Sequence, residues 1–151
     1  MTKDLMIYVD ADACPVKEEI SEIAARFNVE VRFVASFDHV SHSADRSWIF
    51  VDSGRESVDL HIVNHANRDD VVITQDHGLA GLLSVRGIHV ISPRGRHFDE
   101  NDMNHTLFQR YLSAKQRRAG LRVKGPGKMT VQDRVRFRQT LTNFLSMVEG
   151  K

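Results

Sequence analysis

Between residues 5 and 92, short apolar runs suited to extended backbone alternate with stretches whose apolar residues recur every three or four positions. The runs are MIYV (6–9), VEVRFVAS (29–36), WIFV (48–51), VVIT (71–74) and IHVIS (88–92). They are short and rich in β-branched or aromatic residues, so strands are expected over 5–9, 29–36, 48–51, 71–74 and 88–92. Several lack polar alternation, which suits strands buried on both faces. The intervening stretches predict helices over 15–27, 58–66 and 78–85. In the first, Val16, Ile20, Ile23, Ala24 and Phe27 form an apolar stripe, and Pro15 fits an opening turn because its missing N–H costs nothing there. Strand and helix in strict alternation predict an α/β fold, a mainly parallel sheet with helices on both faces.

A chain of 151 residues is long enough to bury its own core, and one domain over 1–151 is expected. After Pro93 the composition changes, and 93–151 reads as a basic helical C-terminal extension packed on the sheet. A helix is expected over 101–119, then a loop around Gly120, Gly125, Pro126 and Gly127. Thr130 and Asp133 have capping-box spacing and open a last helix reaching Val148, with Val131, Val135, Leu141, Leu145 and Val148 as its apolar face. Arg134, Arg136 and Arg138 read as decoration of that helix's surface.

The net charge of +1 conceals a division. Residues 1–85 hold 7 Lys and Arg against 15 Asp and Glu, a net of −8, whereas residues 86–151 hold 14 against 5, a net of +9. An acidic half can hold cations and a basic half can face a polyanion, although solvated surfaces account for both equally well.

Several function classes fall away. The single cysteine, Cys14, makes neither an internal disulfide nor a cysteine-rich zinc site. No GxGxxG follows the first strand and no GxxxxGK[ST] occurs, so dinucleotide and P-loop nucleotide chemistry are not indicated. No apolar run approaches the roughly 20 residues of a membrane span, and a soluble cytoplasmic protein is the expectation.

Ligands of open α/β sheets bind beyond the carboxyl ends of the strands. Asp10 and Asp12 follow the first strand, Asp76 follows VVIT, and Asp59 opens the helix after the third strand. Carboxylates gathered on one rim repel unless protons or cations neutralise them, and all-oxygen ligation suits Mg²⁺ or Mn²⁺. Each acid also has a plainer role: Asp12, three residues before Pro15, reads as a helix cap, and Asp59 complements a helix N-terminus. His61 and His65 lie four apart on one helical face, without the glutamate of an HEXXH motif, and read as surface or packed histidines. Cys14 is a nucleophile if the following helix lowers its pKa, and otherwise a small core residue. Arg94 and Arg96 follow the fifth strand, while Arg117, Arg118, Arg122, Lys124 and Lys128 surround the glycine loop, where phosphates could be held.

VDADACPVK (9–17), VDLHIVNHA (58–66), DVVITQDHGLA (70–80), SPRG (92–95) and GPGKMTVQDRVRF (125–137), in that order, resemble the bacterial YaiI/YqxD family across nearly the whole chain. That family is grouped with PIN-like domains, which implies a three-layer Rossmann-like fold and metal-dependent nuclease chemistry. By this resemblance Asp10 matches the acid after the first strand, Asp59 the acid opening the central helix and Asp76 the acid of the T-x-D element, with Asp12 an additional family acid. The helix acid usual in PIN nucleases has no assigned counterpart, although Glu18 and Glu19 lie nearby. The expected function is a Mg²⁺- or Mn²⁺-dependent phosphodiesterase acting on RNA, with Asp10, Asp12, Asp59 and Asp76 at the metal and Arg94, Lys124 and Lys128 against phosphates. The alternatives are a nucleic-acid-binding protein without turnover and a small-molecule phosphohydrolase. Oligomeric state is not legible in the sequence.

Overall fold

The alternation of apolar runs and amphipathic stretches folds into a sheet enclosed by helices. The structure, a computed structural model, describes residues 5–37, 47–54, 56–98 and 128–149. Among these residues the strands are β1 Met6–Asp10, β2 Glu30–Ser36, β3 Trp48–Val51, β4 Val71–Ile73, β5 His89–Ile91 and β6 His97–Phe98. The helices are α1 Lys17–Arg26, α2 Ser57–His65, α3 His77–Val85 and α4 Val131–Glu149. Spatial order is β3-β2-β1-β4-β5-β6, the first five strands parallel and β6 antiparallel to β5. This is a three-layer, Rossmann-like α/β fold.

Alternating side chains of each strand supply two cores. Ile7, Val9, Val31, Phe33, Val71 and Ile73 pack with Val16, Ile20 and Ile23 of the α1 region and with Phe137, Leu141 and Leu145 of α4. On the opposite face Tyr8, Val34, Val72 and Val90 pack with Val58 and Ile62 of α2 and Leu79, Ala80 and Leu83 of α3. Each fully buried Ile, Leu or Phe contributes roughly 1.5–3 kcal/mol relative to leaving it in water. Among the described residues, no helix is long and apolar enough to cross a membrane.

Several expectations need correction. Pro15 does not lie in the first turn of α1, because a short 3₁₀ turn, Ala11–Ala13, intervenes after β1 and the helix begins two residues beyond the proline. Asp12 therefore caps no helix. Its carboxylate instead accepts from the Ser36 backbone N–H at 3.0 Å, tying the turn after β1 to the end of β2. Strand β6 was not expected, since two residues, His97 and Phe98, are too few to show a periodicity. In α4, Val131 and Val135 are exposed while Phe137 and Phe144 are buried, so the helix is rotated from the expected face towards its aromatic rings. The expected helix over 101–119 and the glycine loop after it lie outside the described residues.

The capping box forms as expected: the Thr130 N–H donates to Asp133 Oδ2 at 3.0 Å, and the Asp133 N–H donates to Thr130 Oγ1 at 3.0 Å. Asp133 also receives Arg94 Nη1 at 2.7 Å and Arg136 Nη1 at 3.3 Å. Backbone donation from Thr130, followed by the Thr130 side chain and the charges of Arg94 and Arg136, holds its carboxyl below the ordinary range despite some desolvation. The basic residues of α4 are thus more than decoration. Arg134 reaches Glu19 and the Pro15 carbonyl, each at 2.8 Å, and Arg138 reaches Glu22 at 3.0 Å.

The turn after β5 packs directly on α4. Gly95 has φ +89°, and a Cβ there would lie 2.6 Å from the Arg136 carbonyl carbon and 2.7 Å from the Phe137 nitrogen. Thr140 Oγ1 donates to the Gly95 carbonyl at 2.6 Å. Gly95→Ala combines an unfavourable backbone region with overpacking, and should destabilise the fold by about 2 kcal/mol or more. Urea denaturation should give a lower midpoint, and an unmoved midpoint would show that the turn can separate from α4 freely.

Candidate functional site

From β1 the chain moves outward to β2 and β3, then returns to lay β4 on the other side of β1. The crevice at such a reversal is where open α/β sheets bind ligands. Asp10 ends β1, and Thr74 and Asp76 follow β4 on the neighbouring strand. The register that pairs Tyr8 with Val72 and Val9 with Ile73 continues to place Asp10 beside Thr74.

Thr74 links the two acids. Its hydroxyl donates to Asp10 Oδ2 at 2.9 Å and accepts the Asp76 backbone N–H at 3.0 Å. Asp76 is the N-cap of α3, its Oδ1 accepting the Leu79 N–H at 3.0 Å. Asp59 lies in the first turn of α2, half-buried, and comes within hydrogen-bonding reach of Asp76. A hydrogen bond between two carboxyl groups requires a proton on one of them. Asp12 stands to one side, engaged with Ser36.

The electrostatics record this crowding. Burial, followed by the charges of Asp76 and Asp10, then the hydrogen bond to Asp76 and the charge of Glu56, lifts Asp59 to about 6. Burial raises Asp10 as well, with Asp12 and Asp76 adding to the rise and the Thr74 hydroxyl opposing it. Asp70, at the opposite rim, accepts the Met6 and Asn67 backbone N–H groups at 3.1 and 2.8 Å, which is an ordinary structural role for a carboxylate.

Fit to a hard divalent cation has two parts. The oxygen-only donors and their mutual repulsion suit Mg²⁺ or Mn²⁺. Their spacing is not that of a finished cage: among the described residues, no group of three or more His, Cys, Asp or Glu side chains is set out to hold a metal ion. Asp10, Asp59 and Asp76 therefore form a charged cluster whose side chains must turn to share one ion.

The remaining candidates are placed differently. Arg94 is ion-paired with Asp133, Lys128 is exposed just before α4, and Lys124 lies outside the described residues. Glu19 is buried and ion-paired with Arg134, while Glu18 is exposed. Cys14 is buried, and burial pushes its thiol up to about 11, the opposite of an activated nucleophile. His61 and His65 stack with ring centroids 3.9 Å apart, and His65 Nδ1 meets the His61 carbonyl at 2.8 Å. Sequence reasoning gave no role to Thr74 or Glu56. The hydroxyl two residues before a helix-capping acid was the available signal for Thr74.

The raised Asp59 group has a consequence for stability. Its folded-state value exceeds the unfolded one, so the native state holds the extra proton between pH about 4 and 6, and above that window the ionised carboxylate opposes folding. Asp59→Asn should therefore stabilise the fold at pH 7.5 by roughly 1 kcal/mol, once solvent screening of a half-buried group is allowed for, and this should be read as a higher thermal midpoint. The gain should shrink through that window and vanish below pH about 4. An equal gain at pH 3.5 would place its cause outside the charge.

Comparison with known proteins agrees with this architecture in extent. The family model described as Uncharacterized BCR, YaiI/YqxD family matches residues 8–147. A UPF0178 protein of Bacillus velezensis is 50% identical over 150 residues, covering 98% of this chain and 89% of the relative. UPF0178 proteins of Bacillus cytotoxicus and Listeria welshimeri are each 49% identical, over 144 and 140 residues, covering 95% and 92% of this chain and 95% and 94% of the relatives. No solved structure matches the chain. The match takes in most of the chain, and the chain belongs to the YaiI/YqxD family.

Proposed function

We propose that the chain is a Mg²⁺- or Mn²⁺-dependent phosphodiesterase acting on RNA, with Asp10, Asp59 and Asp76 holding the cation. Asp12 serves as a further ligand or steadies the rim through Ser36. The observation that carries the reading is the gathering of Asp59, Asp76 and Asp10 at the crevice beside β1 and β4, where burial first, and then the charges of Asp76 and Asp10, lift Asp59 to about 6. Three acids from separate segments of the chain are costly to assemble there for structural reasons alone. The relatives' names assign no activity, so the reading rests on the rim and on the likeness to PIN-like motifs.

A hard cation, when bound, would supply an acidified water and a Lewis acid for the phosphate oxygens. The chain's own residues supply the rest. Thr74 fixes one oxygen of Asp10, and the first turn of α3 fixes one oxygen of Asp76, so both acids enter on defined sides. Loss of the proton between Asp59 and Asp76 prepares the pair to receive positive charge. Arg94, Lys124 and Lys128 would meet substrate phosphates, Arg94 by sharing its guanidinium with Asp133. RNA rather than DNA follows from the PIN-like resemblance.

A second reading, nucleic-acid binding without turnover, is favoured by the engagement of Glu19 with Arg134, which commits a helix acid to structure. Two measurements decide. Calorimetry should detect Mn²⁺ binding that tightens from pH 5 to 7 as Asp59 loses its proton at about 6, then levels off. Asp10→Asn should weaken it about tenfold or more, through loss of a full charge in a partly desolvated site, and unchanged affinity removes Asp10 from the site. Labelled single-stranded RNA should be cut in Mn²⁺ and spared in EDTA, with Asp10→Asn and Asp76→Asn each slower by about a hundredfold. Residual cutting that is equal in all preparations would mark a contaminant, and salt-sensitive binding without cutting would establish the second reading.

A further inference from the structure

His61 and His65 take no part in the carboxylate rim. They lie one turn apart on α2 and so share a face, whereas Asp59, two residues before His61, projects from another side of the helix. His61 is half-buried and His65 is exposed. Their ring centroids are 3.9 Å apart and the rings are 14° from parallel.

Hydrogen bonding gives each ring a defined nitrogen. A carbonyl only accepts, so His65 Nδ1 carries the hydrogen that bridges 2.8 Å to the His61 carbonyl. In the neutral ring this leaves Nε2 as a bare lone pair. Such an arrangement is usual for a metal-binding histidine, whose second nitrogen donates to a carbonyl or carboxylate and thereby fixes the ring. His61 Nε2 is buried and has no hydrogen-bond partner among the described residues. A buried polar atom left in that state is rare, and an ion would satisfy it. Two imidazoles four residues apart on one helical face are placed to hold a single ion. Imidazole nitrogen suits Zn²⁺, Cu²⁺ and Ni²⁺, unlike the oxygen donors of the rim, which suit hard cations. Among the described residues, no third His, Cys, Asp or Glu completes the set.

We propose that His61 and His65 form a two-nitrogen site for a divalent transition ion of the Zn²⁺ and Cu²⁺ class, separate from the rim, with water filling its remaining positions. The exposed His65 ring splays from its stack on His61 to admit the ion. Bound there, the ion links the middle of α2 to its last turn and stiffens the helix whose first turn carries Asp59. The site stands whether or not the rim is a phosphodiester centre.

The full chain, free of any affinity tag, is titrated by calorimetry with Zn²⁺ and with Cu²⁺ in excess Mg²⁺, which competes at oxygen sites. Binding should show a stoichiometry of one, with Cu²⁺ tighter than Zn²⁺ as the general order of affinities requires. The electron paramagnetic resonance spectrum of the Cu²⁺ form should carry coupling to two nitrogens. His65→Ala and His61→Gln should each weaken binding about tenfold or more, since loss of a ligand costs at least as much as loss of the group that orients one. His65 is exposed, so its replacement should leave the thermal midpoint in EDTA unmoved and is the deciding variant. Asp10→Asn should leave Zn²⁺ affinity unchanged. Full-strength binding in His65→Ala overturns the site, as does the absence of both heat and nitrogen coupling. Binding lost in His97→Gln instead moves the ion to the His89 and His97 rings, whose centroids are 5.8 Å apart, and binding lost in Asp10→Asn moves it to the rim. Either result also overturns the proposal.

Discussion

The pairing of β1 with β4 is the contact on which the rest of the arrangement depends. Chain order would make β2 and β3 the natural neighbours of β1, and both lie on one side of it. Bringing β4 to the other side juxtaposes residues 64 apart in sequence, Asp10 and Thr74, at hydrogen-bonding distance. The hydrophobic effect drives that placement through Ile7, Val9, Val71 and Ile73, which are wholly buried. Burial of these neighbours is what makes the repulsion among the rim acids tolerable, because the fold's stability is secured elsewhere.

The split in charge along the chain acquires a structural meaning. Arg134 with Glu19, Arg138 with Glu22, and Arg94 with Asp133 show part of the basic half turned inward upon the molecule. Arg138–Glu22, exposed on both sides, contributes about 0–1 kcal/mol, far less than the burial of Phe137, Leu141 and Leu145, whereas Glu19 and Asp133 are buried and need their arginines. Arg134 and Arg138 tie α4 to α1, and Arg94 ties the first turn of α4 to the turn after β5. A net of +9 in a segment therefore overstates what it offers a polyanion.

Much of the architecture was legible because buried parallel strands carry few polar residues and their intervening helices keep a strict stripe. Val16, Ile20, Ile23 and Ala24 occupy the face expected of them. Failures came where several local solutions compete. Pro15 fits an opening helical turn, but a 3₁₀ turn takes the chain first and leaves Asp12 for Ser36. Val131 and Val135 have ideal spacing, yet the larger rings of Phe137 and Phe144 win the interior. At the rim, sequence position indicated which strand ends carry acids. It could not indicate that Asp59 would meet Asp76, since their approach depends on how α2 sits over the sheet, nor that Thr74 would bridge two of the acids.

Cys14 lies in the short link between the acids after β1 and the start of α1, sealed from solvent with its thiol held protonated up to about 11. A sulfur in that state resists alkylating reagents for as long as the link stays closed. Since no other cysteine exists in the chain, its labelling rate becomes a built-in clock for how often the segment carrying Asp10 and Asp12 opens to water.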